Sequence, residues 1–318
     1  MHQVKRRCPE LIICNKVLRD VRGCRILEVA IPARVHIIAP RALASRWSLK
    51  TVVFPEGLTT IGASAFENCI SLGTVHIPNT VTYIGPSAFV RCRRLTAVTF
   101  PKGLPIIHEN LFAGCENLKA ILLPDMLTHV GARAFRRCYR LKTVIIRERL
   151  NSIGEQAFAF CERLTSVTLP LGITCVPKRC FAKCYSLTTV TMPNTITSIE
   201  AYAFSSCNNL SNLRLPAALL RLEEKAFEEC SSLNSAALPH GLVSLAADAF
   251  EKCNFVYPIH FRLPPARACF VVWALGQRRD RANGESTTIH RLRNIVHLIT
   301  LFSVERRKVA EELNSWGL

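Results

Sequence analysis

At 318 residues, with 49% hydrophobic and 20% charged side chains, the chain is too apolar to be disordered and long enough to build an extended packed core. Its formal net charge of +18 favours acidic partners, nucleic acid or an anionic membrane surface, and is silent about fold. No stretch reaches the ~18 consecutive apolar residues of a membrane-spanning helix, and the longest apolar run, Ala268 to Leu275, is core-sized.

In chain order, residues 1–25 read as an irregular, basic N-terminal cap over the open edge of the first repeat. Lys5, Arg6 and Arg7 precede an apolar stretch, Leu11 to Cys14, that is too short for the hydrophobic region of a secretory signal, so a cytoplasmic location is expected. Ile26-Leu-Glu-Val29-Ala-Ile31-Pro32 is the first strand of a repeat, in an atypical coil with Leu43 and Arg46 where later coils have Phe and Cys.

From Leu49 onward the pattern recurs every 23 residues without insertion: a Phe column runs from Phe66 and Phe89 to Phe250, and a Cys column from Cys69 and Cys92 to Cys253. A fixed period of this size marks a solenoid, in which coils stack and share one core. Each unit opens on Leu-x-x-Val-x-Ile, as in Leu72 to Ile77, whose alternation predicts a short half-buried strand. Pro usually ends it, and stacking lines the strands up as one parallel sheet. Two apolar anchors three apart come next, such as Val81 and Ile84, with Gly62, Gly85, Gly131 or Gly154 after the second, read as a turn needing glycine's conformational freedom. Ala88, Phe89, Cys92 and Leu95 then fall at i, i+1, i+4 and i+7, which predicts one helical or 3₁₀ turn with these residues inward. The Cys column reads as reduced, buried, small apolar residues in a reducing compartment.

The solenoid is expected over residues 26–276 in about 10–11 coils, followed by a linker at 277–288 and an amphipathic C-terminal helix at 289–318 capped by Thr288. Val256 to Phe261 is the last strand in register, and Trp273 stands where Phe belongs.

The consensus Leu-x-x-Val-x-Ile-Pro-x-x-Val-x-x-Ile-Gly-x-x-Ala-Phe-x-x-Cys-x-x-Leu, over residues 26–261, resembles the BspA-type leucine-rich repeat family. The resemblance implies an α/β-type repeat solenoid: a leucine-rich-repeat-like right-handed coil stack with one parallel β-sheet and short helical or 3₁₀ turns. It also implies surface adhesion or protein recognition.

No nucleophile motif, phosphate loop or helical His pair is present, so no catalytic residue, cofactor or metal is assigned and the chain reads as non-enzymatic. Cys175, Cys180 and Cys184 have spacings foreign to standard zinc pairs, and Cys175 reads at most as a reactive thiol in a variable turn. Exposed strand positions are Thr-rich, with Thr51, Thr74, Thr143 and Thr189 in one column, which suits a solvated sheet face or a shallow polar groove. The charge is uneven: residues 91–183 hold 16 basic and 6 acidic groups, residues 200–253 hold 4 and 7. The outer face of the predicted helical turn collects Arg91, Arg94, Arg133, Arg137, Arg140, Arg163, Arg179 and Lys183 as candidate partner-binding residues. A protein partner is the reading adopted. Nucleic acid or another polyanion on the basic central repeats is the alternative.

Overall fold

The computed structural model describes residues 9–23, 25–234, 236–254 and 260–261, and the expected linker, the C-terminal helix and Trp273 lie outside them. Each 23-residue coil contributes three bonded edges. The first is the expected strand. β1 (Glu10–Cys14) and β2 (Val17–Arg22) precede β3 (Glu28–Ala30), which pairs in parallel with Thr51–Val53, Val29 opposite Val52. The same register recurs one coil on, as in Ala120–Leu122 against Thr143–Ile145, and in each case the central apolar residue points inward. This alternation is what a half-buried strand requires.

The second edge, which in sequence shows only a pair of apolar anchors, is a second parallel sheet of two-residue strands: β4 (Ile37–Ile38), Thr60–Ile61, Tyr83–Ile84 and their equivalents to Ser244–Leu245. The expectation of one sheet is therefore corrected to two. This sheet is interrupted twice, between Tyr83–Ile84 and Ile106–Ile107 and between Ser152–Ile153 and Cys175–Val176. Each break has a proline beside it. The amides of Thr82 and Thr128 donate to the preceding coil, but Pro105, at their position, has no N–H. Those of Gly154 and Glu200 do the same, but Pro177 cannot. The first sheet has three interruptions of its own, after Thr51–Val53, after Ala97–Thr99 and after Asn212–Leu213. The first two follow coils with Phe directly after the strand, where Phe54 and Phe100 pack edge-on against Phe66 and Phe112.

The third edge replaces the predicted helical turn, and no helix occurs among the described residues. Two columns of non-glycine residues have φ between about 50° and 65°, Ser87, Arg133 and Arg179 in one, Arg91, Arg137 and Lys183 in the other. A left-handed residue every fourth position cannot belong to a right-handed helix. The amides instead alternate. Ser87, Phe89 and Arg91 donate to Glu109, Leu111 and Ala113 of the next coil, while Ala88, Val90 and Cys92 close i→i−3 turns. Three such inter-coil bonds recur at each junction from Arg41–Ser45 to Tyr202–Ser206. We call this edge the turn ladder. Its bonding offsets a backbone that costs about 1–2 kcal/mol per left-handed residue.

The glycine preference also has a different origin from the one expected. Gly85 and Gly154 have ordinary φ, but a Cβ there would sit 2.5 Å from Ala63 N and 2.4 Å from Ala132 N. Close approach of one backbone to the next, not a special turn, selects glycine.

The interior follows the columns. Phe66 to Phe250 form a continuous stack with centroids 5.1 to 5.7 Å apart and planes within 9° of parallel. Every column cysteine is free, and its Sγ–H donates to a backbone carbonyl one coil earlier, Cys92 to Phe66 O at 3.2 Å. At the N-terminal end, residues 10–22 form an antiparallel hairpin rather than irregular coil, and β2 adds in parallel to β4. Arg46, in the cysteine position of the atypical coil, pairs with Asp20 of that hairpin at 3.1 Å.

Candidate functional site

All eight basic residues singled out from sequence are exposed, but they do not form one patch. Arg133 and Arg179 share the first left-handed column of the turn ladder, and Arg91, Arg137 and Lys183 the second. Arg94 and Arg140 stand beyond the ladder, where their amides turn back to Ile70 O and Glu116 O of the preceding coil, and Arg163 occupies the same repeat position. Arg91 is cut off from Arg137 by Gly114, over which its own side chain lies: a Cβ on Gly114 would meet Arg91 Cγ at 3.3 Å.

The structure gathers Arg133, Arg137, Arg179 and Lys183 and adds Arg136, which residue spacing alone does not single out. A 3.6-residue period places Arg136 off the outer face, whereas the alternating ladder turns it outward between the two columns. Arg136, Arg137 and Lys183 surround the ring of Phe160, with cationic centres 5.3, 5.7 and 5.1 Å from its centroid. Arg179 lies 4.8 Å from the Tyr202 ring. Each such contact contributes about 0.5–1 kcal/mol at an exposed site. Phe160 and Tyr202 themselves sit at left-handed φ of 63° and 59°, which bulky side chains rarely adopt.

Among the described residues, none of these five cations has a carboxylate within ion-pair distance, whereas Arg93 pairs with Glu116 and Arg147 with Asp125. Burial, then the charges of Arg137 and Arg133, lower the pKa of the Arg136 guanidinium, and its Nε is buried without a hydrogen-bond partner. Toward the C-terminal side the sign reverses. Glu228 accepts from Ser205 and pairs with Lys225 at 3.2 Å; Glu229 accepts from Ser206 and pairs with Lys252 at 2.9 Å. Between these ends lies a shallow trough floored by Ala159, Ala182 and Ser205.

The other candidates fare differently. Cys175 is not an activated thiol: burial pushes it up to about 11, and its Sγ lies 3.3 Å from Glu200 Oε1, a carboxylate that disfavours the thiolate. Cys180 and Cys184 are buried, and no cluster of three or more metal-ligating side chains occurs among the described residues. Thr51, Thr74, Thr143 and Thr189 are exposed on the first sheet, and the column two residues on carries exposed Val53, Leu122 and Ile145. Among the described residues no helix is long and apolar enough to cross a membrane.

A family model described as the BspA type leucine rich repeat region matches residues 21–142 and 128–256. No curated protein matches the chain. Among solved structures, the chain is similar to a leucine-rich repeat protein from Bacteroides ovatus, at 24% identity and TM-score 0.46 over 76% of this chain and 85% of that one. It is also similar to a leucine rich cell surface protein from Faecalibacterium prausnitzii, at 23% identity and TM-score 0.48 over 89% and 94%. A third similar structure is a leucine rich repeat protein of T. pallidum, at 23% identity and TM-score 0.47 over 66% and 91%.

Proposed function

Because the chain belongs to the BspA-type leucine-rich repeat family, we propose that it is a non-enzymatic repeat scaffold that binds a protein partner through the outer face of its turn ladder. The observation that carries this reading is the group of four cations without ion-pair partners, Arg136, Arg137, Arg179 and Lys183, around Phe160 and Tyr202, with Arg133 acting on Arg136 beside them. An interface with aromatic and Arg anchors at its centre has the composition of protein recognition sites.

The polyanion reading is less well supported. A nucleic-acid track needs continuous phosphate neutralisation, and here Gly114 and Gln156 interrupt the columns while Glu228 and Glu229 close the far end. We expect nucleic-acid affinity no better than ~10⁻⁵ M at physiological salt. We also place the protein in a reducing compartment, a reading supported by its free, hydrogen-bonded thiols.

Cross-linking in native lysate, with partners identified by mass spectrometry, tests the proposal. Replacing Arg133, Arg137 and Lys183 with Gln should abolish partner capture, and Leu122→Glu with Ile145→Glu on the first sheet should leave it intact. The reverse pattern would assign binding to the sheet. Sub-micromolar binding to DNA or RNA at physiological salt, lost on replacing Arg137, Arg140 and Arg163 with Gln, would overturn the protein-binding reading.

A further inference from the structure

The residue between the two left-handed columns is small in three consecutive coils, Ala159, Ala182 and Ser205, and large and charged in the flanking ones, Arg136 and Glu228. Successive coils are joined here by Arg137 N–H to Ala159 O, Phe160 N–H to Ala182 O, and Lys183 N–H to Ser205 O, so these residues lie in one file. From Arg136 to Glu228 the file crosses four junctions, roughly 19 Å at ~4.8 Å per bonded step. An extended chain at ~3.3 Å per residue covers that span with about six residues.

The two ends differ in more than sign. Glu228 and Glu229 are already neutralised by Lys225 and Lys252. Glu229 faces Lys183 electrostatically, but its hydrogen bonds go to Lys252 and Ser206. At the other end Arg133 and Arg137 repel Arg136, and Arg179 lines the trough beside it, without a counter-ion among the described residues; partial burial adds to the lowering of Arg136. An arriving carboxylate would relieve like-charge repulsion and accept from the Arg136 guanidinium where it lines the trough.

We propose that the trough receives an extended acidic segment of about six residues from a protein partner, its carboxylates on the Arg136 end and its backbone over Ala159, Ala182 and Ser205. This rests on the protein-binding reading and names the chemistry of the segment. The unpaired cations that line the trough, Arg136, Arg179 and Lys183, cluster toward one end of it, so they fit a short peptide with clustered carboxylates better than an evenly charged nucleic acid strand, whose phosphates would continue onto Glu228.

Fluorescence anisotropy of the full chain with labelled hexaglutamate tests the proposal, with hexaglutamine and six-nucleotide single-stranded thymidylate as comparisons. Saturable hexaglutamate binding is expected. It should weaken at least about tenfold in Arg136→Gln/Arg137→Gln and in Ala182→Leu, which fills the trough, and persist in Arg94→Gln/Arg140→Gln. If Ala182→Leu loses its native circular dichroism, the arginine pair alone decides. Equal loss in both arginine pairs would mean diffuse attraction and overturn the proposal. So would tighter binding of the thymidylate, or no saturable hexaglutamate binding. If hexaglutamate fails while the cross-linked partner is still lost on mutating the turn ladder, the acidic-segment inference falls and the scaffold reading stands.

Discussion

The column cysteines show how one side chain type can be legible in sequence for its place and illegible for its bonding. Their 23-residue spacing already marks them as interior. What spacing does not reveal is that each Sγ–H reaches a main-chain carbonyl one coil earlier, Cys138 to Phe112 O at 3.4 Å and Cys161 to Phe135 O at 3.3 Å. Burial raises these thiols well above their usual range, so they are poor nucleophiles. Peptide mapping after brief iodoacetamide treatment at pH 8 should find exposed Cys14 labelled and Cys92 to Cys207 unlabelled until denaturant is added. Cys175, pushed up to about 11, should react roughly 100-fold more slowly at that pH than an unperturbed thiol, its rate climbing until the pH nears 11. Fast labelling of the column in native protein would mean that the coil interior is open. Arg136 is the counter-example among charged residues. Its place in the cation group depends on two left-handed neighbours, Arg133 and Arg137, and no local pattern of residue types demands that backbone.

Among elements, the strand Leu-x-x-Val-x-Ile is readable because period-2 alternation and a terminal Pro are strong signals, and the second sheet is not because two residues cannot show a period. The turn ladder passes for a helix in sequence for a physical reason. Inward residues at i, i+1, i+4 and i+7 fit a helix equally well, and only the inter-coil bonds of alternate amides distinguish the two. The stacked rings make the interior a single element in energetic terms. Phe135 lies between Phe112 at 5.7 Å and Phe158 at 5.3 Å, so Phe135→Ala should cost about 3–5 kcal/mol in chemical denaturation and uncouple the coils on either side. A denaturation midpoint matching wild type would remove Phe135 from the core. Two glycines separate close approach from mere convention. Gly85→Ala forces a Cβ to 2.5 Å from Ala63 N and should destabilise by about 1–3 kcal/mol, while Gly103→Ala meets nothing within 4 Å and should be neutral or slightly stabilising. Equal effects of the two would refute the backbone-contact explanation.

Across the whole molecule, the buried thiols act together on stability. In the unfolded chain they ionise near pH 9, whereas Cys69 and Cys184 hold their protons to about 12 in the fold. Between these limits the unfolded state binds fewer protons, so stability is complete below pH 9 and falls as pH rises toward 12. Each such thiol steepens the fall by up to about 1.4 kcal/mol per pH unit. Melting temperature should therefore drop sharply between pH 9 and 11, and Cys115→Ala with Cys138→Ala should flatten the drop; an unchanged slope would exclude the thiols as its cause. The charge division between residues 91–183 and 200–253 is readable at this scale by counting, but its concentration around Phe160 requires the fold. The three edges also differ in continuity. The second sheet is interrupted beside Pro105 and Pro177, while the turn ladder keeps three bonds at each of the same junctions. In its bonding the molecule resembles a bound book whose spine is stitched through every leaf while its other edges are gathered in separate sections. One of those gaps, beside Pro177, lies at the very junction where Phe160 N–H holds Ala182 O on the spine, so the floor of the trough is bonded across a coil junction that the second sheet leaves unpaired.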